Sequence, residues 1–118
     1  MEPTPLPTVT AVPDWDELAK SIIRVDFKQE DCEYSHYTYW YNVSGSVTNI
    51  SDKYPVENVL IRMELYGENG NLLMADESYA DAFVLGPGTK ADFDGFIFYR
   101  EVNNPTCKVF VKSASIAP

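Results

Sequence analysis

From Ile22 to the C-terminus the chain repeats one pattern: short stretches of alternating apolar and polar residues, each ended by a turn cluster. A period of two sends successive side chains to opposite faces of a strand. Ile23, Val25 and Phe27 alternate with Arg24, Asp26 and Lys28. Val59, Ile61, Met63 and Leu65 share one face, with Arg62 and Glu64 on the other. Cys107, Val109 and Val111 oppose Lys108 and Lys112. Between such stretches lie Ser51-Asp52-Lys53-Tyr54-Pro55, Leu85-Gly86-Pro87-Gly88 and Asn103-Asn104-Pro105, all rich in turn formers. No helical period intervenes, so no βαβ unit is available and a parallel sheet is excluded. Six or seven short strands in this arrangement predict an all-β fold, an antiparallel immunoglobulin-like β-sandwich. The Cys…Trp…Cys spacing of antibody domains is not met.

The strand expected over 36–49 is unusually aromatic, with Tyr39, Tyr41, Val43 and Val47 on its inward side. Gly45 marks a bulge or a close backbone approach. If the 51–55 turn joins this strand to the next as a hairpin, Val47 faces Val59, Val43 faces Met63 and Tyr41 faces Leu65. That register groups apolar residues and is favoured over its neighbours. Asn69-Gly70 predicts a type I′ hairpin turn with positive φ at both residues. Together these pairings predict an outward row Trp40–Tyr66–Leu73 across three strands, a candidate interaction surface. It would be covered by Trp15 or Leu18 of the N-terminal segment, or used by a partner.

The first 20 residues differ from the rest. Four of the eight prolines fall in 1–13, which reads as an extended Pro/Thr-rich linker. Asp14 followed by Glu17 predicts a short capped helical turn up to Lys20. The sandwich domain is expected over 21–118. The linker carries no basic or long apolar stretch of a secretory signal, and reads either as an ordinary flexible N-terminus or as the spacer left after an export signal or lipid anchor is trimmed off. Nine basic residues against 18 acidic ones give a net charge of -9, which argues against nucleic acid or an anionic membrane surface as partner. No apolar run approaches the roughly 18 residues of a spanning helix. Cys32 and Cys107 are too far apart for a CxxC redox or zinc spacing, and form either a disulfide or two reduced, buried thiols.

Val43-Ser44-Gly45-Ser46-Val47-Thr48-Asn49 is followed by Pro55-Val56-Glu57-Asn58-Val59, then by Met63-Glu64-Leu65-Tyr66-Gly67-Glu68-Asn69-Gly70-Asn71, Leu85-Gly86-Pro87-Gly88 and Phe93. This series, within residues 43–99, resembles the FxLYD domain family of exported and envelope-associated bacterial and archaeal proteins. Met63 stands at the signature Phe, keeping an apolar side chain, and Gly67 stands at the signature Asp. The resemblance implies an immunoglobulin-like sandwich outside the cytoplasm, extracellular or in the cell envelope, and supplies no catalytic residues.

Candidate chemistry is sparse. Asp92 and Asp94 flank Phe93 and share a strand face, the spacing of an acid pair, but an inward Phe93 turns both to water. Asp76, Glu77 and Asp81 could join them as calcium ligands, yet no EF-hand loop is present. His36 is the only histidine, so neither a His-based zinc site nor a serine nucleophile with its base is supported. No metal, cofactor or catalytic residue is expected. The expected function is a non-catalytic envelope module, a spacer or protein-interaction domain, acting as a monomer or weak oligomer. The alternatives are a carbohydrate-binding module using exposed aromatics such as Trp40, and a hydrolase using the Asp92/Asp94 pair.

Overall fold

The structure, a computed structural model, describes residues 14–118; the Pro/Thr-rich linker lies outside the described residues. Helix α1 (Trp15–Ser21) starts where the Asp14 carboxylate accepts a hydrogen bond from the Glu17 amide at 3.2 Å. Acidic Asp16 and Glu17 in its first turn and Lys20 in its last complement the helix dipole. Eight strands follow: β1 (Ile23–Asp26), β2 (Cys32–Ser35), β3 (Trp40–Asn49), β4 (Val56–Tyr66), β5 (Leu72–Tyr79), β6 (Val84–Leu85), β7 (Lys90–Ile97) and β8 (Thr106–Ile116). The count exceeds the expected six or seven because β6 is only two residues long and β2 is a separate piece of the first edge strand.

The strands form two antiparallel four-stranded sheets, the all-β sandwich that the alternation predicts. In sheet one β3 is central. It pairs with β7 along one side and with β1 and β2, laid end to end, along the other. In sheet two β4 is central, flanked by β8 on one side and by β6 and β5 end to end on the other. Tyr41, Val43, Val47, Phe93 and Ile97 from sheet one meet Val56, Val59, Ile61, Met63 and Leu65 from sheet two in the core. Ala19 of α1 joins them, and α1 packs against β8.

The predicted β3–β4 hairpin is corrected. β3 and β4 lie in different sheets, so Val47–Val59, Val43–Met63 and Tyr41–Leu65 are not cross-strand pairs. Both strands bury their apolar faces, but across the sandwich instead of side by side. Alternation specifies which face is buried and is silent on whether the covering strand lies in the same sheet. The crossing is organised by Asn49, fully buried at the end of β3. Its amide nitrogen donates to the carbonyls of Tyr54 (2.7 Å) and Leu85 (3.0 Å), and its amide oxygen accepts from the Ser51 N–H (3.0 Å).

Three local expectations also change. Only Gly70 of the Asn69-Gly70 pair has positive φ (86°). The Gly67 carbonyl accepts from the Gly70 N–H and the Gly67 N–H reaches the Asn71 carbonyl, so a three-residue loop with Gly70 at its left-handed position replaces the type I′ turn. Tyr39 is not an inward strand residue; it sits in the β2–β3 turn with φ 65° and is largely exposed. Gly45 makes no bulge, since its pairing with β7 runs without a shift.

Gly45 is instead the close approach. A Cβ there would lie 2.6 Å from the Phe93 ring and 2.7 Å from the Asp26 carbonyl oxygen. The Phe93 ring fills the space the missing side chain leaves, and the backbone oxygen cannot swing aside. Gly45→Ala should therefore destabilise the domain by about 2–3 kcal/mol, read as a lower midpoint in urea unfolding. An unchanged midpoint would remove this packing from the account.

The two long seams of the sandwich are closed differently. Along one, the Ser78 hydroxyl donates to the Asp94 carbonyl (2.7 Å) and the Asp81 N–H to the Asp92 carbonyl (2.8 Å). Along the other, Cys32 of β2 is disulfide-bonded to Cys107 of β8. Beside that bond the Gln29 side-chain amide donates to the Cys107 carbonyl and accepts from the Cys107 N–H, at 2.6 and 2.9 Å. A side chain thus occupies hydrogen-bonding positions on an edge strand that another chain could otherwise use.

Candidate functional site

The predicted row Trp40–Tyr66–Leu73 does not exist. Trp40 belongs to sheet one, whereas Tyr66 and Leu73 belong to sheet two, and Tyr66 pairs with Leu72 across a bulge that takes in Leu73. Trp15 covers neither; its ring packs edge-on against Tyr54, 6.0 Å between centroids.

Trp40 has other neighbours. Phe93 and Ile97 of β7 are buried, so alternation turns Asp92, Asp94 and Phe96 to the outer face of sheet one. Phe98 follows immediately after the strand. Phe96, Phe98 and Trp40 pack mutually, with ring centroids 5.0 to 5.5 Å apart. Such tilted and edge-to-face contacts suit the ring quadrupoles. The Trp40 indole N–H donates to the Asn42 side-chain oxygen at 3.0 Å, which fixes the indole's orientation. Phe96 and Phe98 are nonetheless 45% and 52% exposed. This is a held aromatic platform, facing outward from a sheet rather than filling a core.

The platform adjoins the β2–β3 turn. There the Ser35 hydroxyl accepts from the Tyr37 and Thr38 amides, the Tyr39 N–H donates to the Ser35 carbonyl, and Tyr37 is 97% exposed. A bulky residue at positive φ, as at Tyr39, costs on the order of 1–3 kcal/mol, and such strain concentrates at functional positions. His36 meets Glu101 at 3.2 Å across this end. Beneath the platform, buried Tyr41 accepts the Val102 N–H on its hydroxyl at 2.9 Å, anchoring the loop after β7. Burial pushes the Tyr41 phenol above its ordinary pKa.

The outer face of sheet two is different in kind. Glu64 is nearly buried and accepts from the Tyr66 hydroxyl (2.6 Å) and Arg62 Nε (2.8 Å). Arg62 also reaches Glu77, which pairs with Lys112, and Lys108 lies over the Tyr66 ring. Hydrogen bonds from Tyr66 and then Arg62 hold the Glu64 carboxyl below its ordinary pKa of 4.5. A group whose pKa is lowered on folding stabilises the fold above its unfolded pKa, and that contribution disappears as pH falls through the folded value. Stability should accordingly decline below pH 4.5, and Glu64→Gln should flatten this part of the decline. Thermal unfolding of both proteins across the acid range checks it; parallel curves would contradict it.

Asp92 and Asp94 are exposed on sheet one, and Asp92 lines the groove where β1 and β2 are interrupted, with Asp26, Asp31, Lys28 and Ser46. Among the described residues no group of three or more His, Cys, Asp or Glu side chains is placed to hold a metal ion, and no helix is long and apolar enough to cross a membrane. A second apolar area is formed around Asn58 of β4 by Tyr79 at the end of β5 and by Ala82 and Phe83 of the loop that follows, without packing between the two rings. Comparison with family models, curated proteins and solved structures finds no match.

Phe96 and Phe98 are the site residues that sequence reading missed. The signal was present: once Phe93 is inward, the same alternation that sends Asp92 and Asp94 outward carries Phe96 with them.

Proposed function

We propose that this chain is a non-catalytic binding module of the extracellular space or cell envelope, docking a partner protein on the outer face of sheet one. The observation that carries the reading is the Trp40–Phe96–Phe98 platform: three large rings, mutually packed, with the half-buried Trp40 indole held by Asn42 and the Phe96 and Phe98 rings open to solvent. Interfaces draw their energy from such fixed aromatic anchors, which lose little conformational freedom on binding. The Tyr- and Ser-rich turn beside it, Tyr34 to Tyr39, has the composition of adaptable binding loops. The Cys32–Cys107 disulfide supports an oxidising compartment, as does the resemblance to the FxLYD family.

A photo-cross-linking amino acid in place of Phe98, in the native cell, should trap a defined protein, and Trp40→Ser should abolish the adduct. The same probe in place of Lys108, on the opposite sheet, should trap none. Equal adducts from both positions would contradict the reading. Absence of any protein adduct, with saturable shifts of Trp40 on adding envelope polysaccharide, would make the chain a carbohydrate-binding module. Turnover of a glycan lost in Asp92→Asn or Asp94→Asn would make it a hydrolase.

A further inference from the structure

Resting on that reading, we propose that the partner presents a basic segment, whose Lys or Arg side chains lie over the Trp40–Phe96–Phe98 rings with their charges at Glu33 and Asp94. Both carboxylates share the outer face with the rings. Glu33 is directly opposite Asn42, which in turn is opposite Phe96. Asp94 is two residues from Phe96 on β7, about 7 Å along the strand on the same face. Both are exposed, and among the described residues neither has an ion-pair partner.

The contrast within the molecule is informative. On sheet two, Glu64 and Glu77 are neutralised by Arg62 and Lys112, and Lys108 already occupies the Tyr66 ring. Lys53 and Arg100 likewise sit over Tyr54 and Tyr99. The chain thus pairs its own cations with its rings elsewhere, while among the described residues none lies over Trp40, Phe96 or Phe98. Of the basic residues on or beside this face, Arg24 is tied to Asp26 and Lys90 is at the far end of β7 opposite Thr48, while Lys28 lines the groove with Asp92 and, among the described residues, forms no ion pair with Glu33 or Asp94. A cation over a ring with a carboxylate beside it satisfies both attractions at once. An anionic ligand would meet two uncompensated carboxylates and the field of a chain of charge -9.

The test is an NMR titration of the ¹⁵N-labelled protein with a short peptide of alternating Arg and Gly, and with its Glu/Gly and Ser/Gly counterparts. The Trp40 indole signal should move saturably with the Arg peptide alone, while the Trp15 indole stays put. Raised salt should weaken the binding. The double variant Glu33→Gln/Asp94→Asn, both positions being exposed, should keep its melting temperature and bind about fivefold more weakly. If the Ser or Glu peptide, or a neutral glycan, moves Trp40 as readily, docking at this face stands and the basic partner falls. Unchanged affinity in the double variant likewise overturns the basic partner. If no probe moves Trp40, both readings fall.

Discussion

Replacing both Cys32 and Cys107 with Ser should lower the unfolding free energy by about 4 kcal/mol. The two residues are 75 apart in sequence, so the bond closes a long loop and removes many conformations from the unfolded chain. The bond also joins β2 of sheet one to β8 of sheet two, at the seam that Gln29 holds with two hydrogen bonds. Those hydrogen bonds remain in the variant and keep part of the seam in register. A domain of this size is stable by only about 5–15 kcal/mol, so the loss removes a large share of its stability. Urea unfolding with and without reductant reads the effect directly. Coincident curves for oxidised and reduced protein would contradict the assignment of the seam.

The second large effect belongs to Asn49. Asn49→Leu keeps the volume but strips the Ser51 N–H and the carbonyls of Tyr54 and Leu85 of their side-chain partner. Each group left unpaired costs about 1–3 kcal/mol, toward the lower end for the two that are only part-buried, so the loss of all three is expected to cost at least about 3 kcal/mol. Hydrogen exchange should quicken first at Ser51 and at Gly88, whose N–H donates to the Asn49 carbonyl. Asn49→Asp should be at least as damaging, because it sets a carboxylate against two carbonyl oxygens in a dry site. A stability within about 0.5 kcal/mol of the wild type would show that the crossing between sheets does not depend on this side chain.

Much of the fold was legible in the sequence because burial on a strand is written with period two. Val59, Ile61, Met63 and Leu65 line the core as their spacing requires, and the capped helix begins at Asp14 as its carboxylate suggests. What alternation could not convey was sheet membership. The same apolar face of β3 is satisfied by a neighbour in its own sheet or by a strand stacked above it, and the discriminating element is the Asn49 amide, whose partners at Tyr54 and Leu85 are brought close only by the finished fold. The proposed site suffered from that ambiguity. Trp40 was identifiable as an unusual outward ring, but its true companions lie more than 50 residues away on β7, and a wrong pairing of β3 assigned it to Tyr66. Gly45 shows the same limit, since sequence marks a close approach without naming Phe93 as the ring that fills it.

The most direct test of the two-sheet arrangement, and of the platform built on it, is a set of nuclear Overhauser contacts from the Trp40 indole. Cross-peaks are expected from Trp40 to the Phe96 and Phe98 rings, with none to Tyr66. Cross-peaks between Trp40 and Tyr66, with Phe96 and Phe98 silent, would restore the β3–β4 hairpin and remove the surface on which the binding function rests.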